Sequence, residues 1–147
     1  MMFRVLAAGA LTLAGLPVAA DDGEASAATE TLAVSAYVDA YNARDLEAMI
    51  ALMHDDVQWL SVEGDTVSVF ANGKSNLTEQ MRSYISSPIA TTSEIDGEAT
   101  VDGRFVAVRE IARWTGQDGA LRSQSALAVY EFEDGLIRRV YYYPATR

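Results

Sequence analysis

The chain of 147 residues has no cysteine, which removes disulfides, thiol nucleophiles, lipid attachment at cysteine and every cysteine-based metal centre. It has one lysine, Lys74, and ten scattered arginines against 21 acidic residues, for a formal charge of −10. Phosphate affinity needs clustered Lys and Arg, so the composition argues against nucleic acid and against an anionic bilayer surface as partners. The single histidine, His54, excludes a multi-histidine metal site and leaves at most one constellation with Asp55 or Asp56. Those three residues read more simply as a helix end and a turn. No Gly-x-Ser-x-Gly elbow is present, so a hydrolase triad through His54 has no support. Without a nucleotide or metal motif, neither a cofactor nor a metal is expected.

What is present is apolar: half the residues are hydrophobic, enough to bury a core, and the length suits one domain. Residues Met1 to Ala20 open with Arg4, run apolar from Val5 to Leu16, and end in Pro17 and the small-residue stretch Val18-Ala19-Ala20. That is the pattern of a secretory signal peptide cleaved near Ala20, and the apolar run is too short for a membrane span. The expected location is periplasmic or secreted, with no membrane association after cleavage. Residues 21–28 are small and polar and are expected as a flexible lead-in, with the domain covering 29–147.

Within that domain, Val34, Tyr37, Val38 and Tyr41 have helical spacing, predicting a helix over 29–43. Asp45 is a good cap for a second helix carrying Leu46, Met49, Ile50 and Met53. Residues 57–62 alternate as a strand, and Leu77, Met81, Tyr84 and Ile85 line a third helix, capped near Ser75 and closed before Pro88. After Pro88 the period becomes two. Turn signals at Asp102-Gly103, Gly116-Gln117-Asp118-Gly119 and Glu133-Asp134-Gly135 divide a meander into strands near 91–101, 104–115, 120–132 and 136–143. Helices first and antiparallel strands last predict an α+β fold, its sheet curled over the helices with a pocket at the open end.

The stretch Tyr37-Val-Asp-Ala-Tyr-Asn-Ala-Arg-Asp-Leu-Glu-Ala-Met-Ile-Ala-Leu-Met-His-Asp-Asp-Val57 resembles the opening of nuclear transport factor 2-like domains, particularly their SnoaL-like and ketosteroid isomerase-like branches. Ala71-Asn-Gly-Lys-Ser75 and the closing segment Tyr130-Glu-Phe-Glu-Asp-Gly-Leu-Ile-Arg-Arg-Val140 are similar to the family as well. The resemblance implies a cone-shaped fold, three N-terminal helices packed on a curved antiparallel sheet. It also implies an oxyanion donor at Tyr37, a general base at the position of Ser61 and a second acid near Ala128. Serine without a partner base cannot take a proton near neutral pH, and alanine is no acid. Steroid isomerisation by that mechanism is therefore rejected, while Tyr37, Ser61 and Ala128 remain expected beside the pocket.

Among the carboxylates, Glu110 stands out because it alternates with Val106, Val108, Ala112 and Trp114 on an otherwise apolar face. Inside the cone it would be a buried catalytic candidate; paired with Arg109, Arg113 or Arg122 it would be structural, and the pairing is the preferred reading. For the last hairpin, a type I turn with a glycine bulge predicts Phe132 opposite Leu136, Tyr130 opposite Arg138, Ala128 opposite Val140 and Ala126 opposite Tyr142. Tyr130 and Tyr142 then share the inner face with Ala128, and Trp59 points the same way as Ser61. With Tyr37 these rings outline an aromatic-lined site. The opposite face, carrying Leu127, Val129, Ile137, Tyr141 and Tyr143, is apolar enough to predict a homodimer.

The leading expectation is an exported SnoaL-like domain binding a small hydrophobic or aromatic molecule at Tyr37, Trp59, Ser61, Ala128, Tyr130 and Tyr142. The alternatives are an isomerase, dehydratase or hydrolase using Tyr37 and Glu110, and a non-catalytic association domain with a filled cone.

Overall fold

The computed structural model describes residues 22–145; the predicted signal peptide lies outside the described residues. Helices α1 (Asp22–Ala43) and α2 (Leu46–Ala51) lead into strands β1 (Met53–Glu63) and β2 (Thr66–Asn72), then helix α3 (Lys74–Ile85). Four strands complete the chain: β3 (Thr91–Asp102), β4 (Phe105–Thr115), β5 (Leu121–Glu133) and β6 (Leu136–Pro144). They form one six-stranded sheet in the order β2-β1-β6-β5-β4-β3. All its pairs are antiparallel except β1 with β6, which is parallel. The expected antiparallel sheet is thus corrected at one seam, while the strand expected between the second and third helices is present as β1.

Helix α1 begins at Asp22, so residues 22–28 are helical, where a flexible lead-in was expected. Ala25, Ala27 and Ala28 favour helix, and Asp22 and Glu24 suit its positive end. Asp45 caps α2 as expected, its carboxylate accepting from the Ala48 amide at 3.0 Å. Helix α3 starts after Gly73, which offers no side-chain cap, and the expected cap residue Ser75 lies inside it. Strand β2 had no counterpart among the expectations, because its alternation lasts only from Thr66 to Val69 before Phe70 breaks it, and six of its seven residues are exposed.

The helices cover the concave face. Val34 and Val38 of α1, Met49 of α2 and Leu77 and Met81 of α3 pack with Val57, Val106, Val108, Phe132, Ile137 and Val140 from the sheet. Each fully buried aliphatic side chain of this kind contributes about 1.5–3 kcal/mol. Ile137 belongs to this core, fully buried, and not to the outer face where it was expected.

The cause is the β5–β6 turn. Asp134 and Gly135 both have positive φ (52° and 75°), the signature of a two-residue type I′ turn, so Glu133 pairs with Leu136 and Phe132 with Ile137. A bulge between Glu131 and Phe132 then sets Tyr130 opposite Val140, Ala128 opposite Tyr142 and Ala126 opposite Pro144. The expected register is wrong by two residues beyond the bulge. A shift of two preserves which face each side chain takes, so Tyr130 and Tyr142 still point inward together. On the convex face, Glu131 is buried between Arg139 (2.9 Å) and Arg104 (3.1 Å). Among the described residues no helix is long and apolar enough to cross a membrane.

Candidate functional site

The open end of the cone holds a cavity of about 530 Å³, within the range of small-molecule sites. Tyr37, Val38 and Tyr41 from the C-terminal half of α1 form one wall, and Trp59 and Ser61 of β1 and Tyr142 of β6 form another. Met81 and Tyr84 of α3 and Phe70 of β2 also line it. Tyr37 and Trp59 have ring centroids 5.3 Å apart and tilted by 51°, and Trp59 stacks on Tyr142 at 5.8 Å and 22°. Tyr41 and Tyr84 stack at 5.9 Å. Among the described residues lining the cavity there is no lysine or arginine, so nothing there neutralises an anion.

Glu110 is the acid of this cavity. It is 6% exposed and accepts from the Tyr130 hydroxyl on Oε1, from Ser93 Oγ at 3.1 Å on Oε2, and from the Tyr142 hydroxyl at 3.4 Å on Oε2. Burial raises its pKa above the ordinary glutamate value, and the three hydroxyl donors pull it only partly back. The expected ion pair does not form: Arg109 pairs with Asp96, Arg113 with Glu94 and Arg122 with Asp118. Parity explains the difference. The arginines at 109 and 113 point outward with their β3 partners, while Glu110 points into the cone. Arg122 has the parity of Glu110 but lies opposite Trp114, four residues along β4, and is held by Asp118.

The phenols around it stay neutral. Burial, followed by the Glu110 charge, raises Tyr37 and Tyr142 well above the ordinary tyrosine value. Burial and then the neighbouring Tyr142 raise Tyr130. Tyr41 is raised by burial and by its hydrogen bond with Tyr84. The site therefore offers one carboxyl that can hold or release a proton, surrounded by hydroxyls that remain donors.

Of the residues singled out from sequence, Tyr37, Trp59, Ser61, Glu110 and Tyr142 line the cavity. Tyr130 is fully buried beneath it and reaches the site through its hydroxyl on Glu110 and its ring against Tyr37. Ala128 is also fully buried and is not among the lining residues. Sequence reasoning missed Ser93, Thr91, Gln124, Tyr41, Tyr84 and Phe70. Of these, Tyr41 and Tyr84 had been placed on helix faces by their spacing, and only their meeting across two helices was hidden.

His54 accepts from the Asp56 amide at 3.1 Å through Nδ1. Its carboxylate neighbours are Glu133 and Asp134 of the β5–β6 turn, whose ligand-type atoms and its own lie within 4.8 Å of one another. The adjacent Asp55 and Asp56 considered from sequence are not the ones gathered there. Glu133 is meanwhile ion-paired with Arg138 at 3.4 Å.

The fold is similar to that of an LEH-like epoxide hydrolase of M. tuberculosis, with 18% identity over 81% of this chain and 84% of that one and a TM-score of 0.67. It is similar to an NTF2-like protein of Burkholderia pseudomallei (20% identity, 80% and 91% covered, TM-score 0.67). TerC, crystallised with polyporic acid, is a third such structure (19% identity, 78% and 89% covered, TM-score 0.64). No curated protein matches the sequence. The profile of the SnoaL-like domain matches residues 34–140, from Val34 in α1 to Val140 in β6. The chain belongs to the SnoaL-like domain family.

Proposed function

We propose that this chain binds a small, flat, uncharged and weakly polar organic molecule in the cone, with Glu110 as its polar contact. The observation that supports this best is the open cavity of about 530 Å³, walled by stacked aromatics around one buried carboxyl. Aromatic faces suit a flat apolar ligand, and the lack of a cation at the wall disfavours an anionic one. An association domain with a filled cone would need no such cavity. The probe for a test is 2-naphthol, followed through Trp59 fluorescence in a Trp114→Phe background. Ala112 also lines the cavity, and saturable quenching that is lost in the cavity-filling variant Ala112→Phe is expected. Quenching that does not saturate, or that survives in Ala112→Phe, would sink the reading.

A second reading, an acid–base enzyme of isomerase, dehydratase or hydrolase type, is favoured by the raised proton affinity of Glu110. A carboxyl that keeps its proton to higher pH can donate it to a ligand oxygen, with Tyr37 as a further donor. Hydrolysis of styrene oxide is a direct test, prompted by the similarity in fold to an epoxide hydrolase. The wild type should exceed Glu110→Gln by about 10²-fold or more. Equal rates count against this reading.

Two expectations from sequence belong to the same proposal. The chain is exported and cleaved near Ala20, so N-terminal sequencing of exported protein should begin at Asp21. It pairs with a second copy through the convex face, where Leu127 and Tyr143 are 48% and 41% exposed. Sedimentation should show a dimer that Leu127→Arg converts to monomer.

A further inference from the structure

The C-terminal end of α1, at Asn42, has a connection that its position at a helix end does not require. Asn42 is exposed, yet its side-chain amide forms two hydrogen bonds with the backbone of a residue 51 positions away. Nδ2 donates to the Ser93 carbonyl at 2.8 Å, and Oδ1 accepts from the Ser93 amide at 2.8 Å. Ser93 sits near the start of β3, an edge strand of the sheet, bonded to β4 on one side only. The other side of its backbone is satisfied by Asn42. The Ser93 side chain meanwhile donates to Glu110 Oε2 at 3.1 Å.

We propose that Asn42 is a positioning residue for Glu110: by clamping the Ser93 backbone it holds the Ser93 hydroxyl on the buried carboxyl and so controls that carboxyl's hydrogen bonding. The proposal rests on the reading of Glu110 as the polar centre of the cavity. The groups facing Glu110 come from every packed element: Tyr37 and Tyr41 of α1, Ser93 of β3, Tyr130 of β5 and Tyr142 of β6. Tyr130 and Tyr142 are anchored by sheet pairing on both sides. Ser93 is the donor on an edge strand, so it is the one whose placement depends on a side-chain clamp.

The test is the titration of the Glu110 carboxyl by carbon-13 NMR in the ligand-free wild type, Ser93→Ala, Asn42→Ala, Asn42→Ser and the double variant Asn42→Ala/Ser93→Ala. A hydroxyl donor favours the ionised form, so its loss lowers the acid dissociation constant, by roughly tenfold for one such bond. Asn42→Ala and Asn42→Ser should lower it in the same direction as Ser93→Ala, and the double variant should go no further than Ser93→Ala. An Asn42 variant that lowers thermal stability while leaving the Glu110 midpoint at the wild-type value would show a purely structural clamp and overturn the proposal. Additive effects in the double variant would also overturn it, since Asn42 would then act by a route other than Ser93. Asn42 is exposed, so its truncation opens no core cavity, and Asn42→Ser keeps a polar group should Asn42→Ala fold poorly. No ligand enters the measurement, so failure of the binding reading and failure of this proposal give separate results.

Discussion

The Tyr130 hydroxyl donates to Glu110 although the two residues stand four positions apart in register, since Tyr130 lies opposite Val106 and Glu110 opposite Ala126. The ring must therefore lean along β5 past residue 128, and alanine there leaves the space. A larger side chain blocks the path. Ala128→Leu should cost about 1–3 kcal/mol through overpacking and also break the Tyr130–Glu110 bond. Tyr130→Phe should break the bond without the overpacking. Chemical denaturation and the Glu110 titration separate the two contributions: both variants should raise the Glu110 midpoint, and only Ala128→Leu should lose the larger share of stability.

Glu110 makes stability depend on pH in a definite direction. Its folded-state pKa is raised above the unfolded value, so the folded state binds the proton more tightly. That contribution is complete below the unfolded pKa of glutamate and is lost as pH rises through the raised folded value. Wild type minus Glu110→Gln in melting temperature should therefore fall with rising pH over that window. The exposed carboxylates Glu94 and Asp118, whose pKa values are lowered by Arg113 and by the Ala120 amide respectively, are common to both proteins and cancel. A flat or rising difference would contradict the assignment.

The convex-face pair Glu131–Arg139 should carry more stability than the exposed pair Glu94–Arg113. Glu131 is only 4% exposed at its side chain, while Glu94 and Arg113 are about half exposed. Removing Arg139 leaves a buried carboxylate with Arg104 as its remaining cation. Arg139→Ala is expected to cost about 2–4 kcal/mol, and Arg113→Ala clearly less, because its pair is solvent-screened. Equal losses in urea denaturation would refute the ranking.

Much of the fold was legible because the chain changes period cleanly. The helical spacing of Val34, Tyr37, Val38 and Tyr41 and the Asp45 cap placed the first two helices, and the Gly-containing turns placed all four meander strands to within one or two residues. Strand β2 was not legible because exposed Val67, Val69 and Phe70 supply no buried face to alternate against. The β5–β6 register was misread because positive φ at Asp134 as well as Gly135 makes a two-residue turn, and residue type alone allows the longer loop as well. The site was half legible: sheet parity put Trp59, Ser61 and Tyr142 together, but Glu110 was assigned to Arg109 and Arg113, which point away from it, or to Arg122, which is held by Asp118. Asn42 lay in the family-like stretch, but its contact with Ser93 carried no sequence signal, since a polar contact across 51 residues leaves no local pattern.

The central claim is that a ligand in the cone meets Glu110, and the most direct measurement is the Glu110 carbon-13 resonance as 2-naphthol is titrated into the wild type at a pH near its midpoint. The account predicts a saturable shift of that resonance, with the same dissociation constant as the Trp59 response, and its loss in Ala112→Phe. Saturation of Trp59 with the Glu110 resonance unmoved would contradict it.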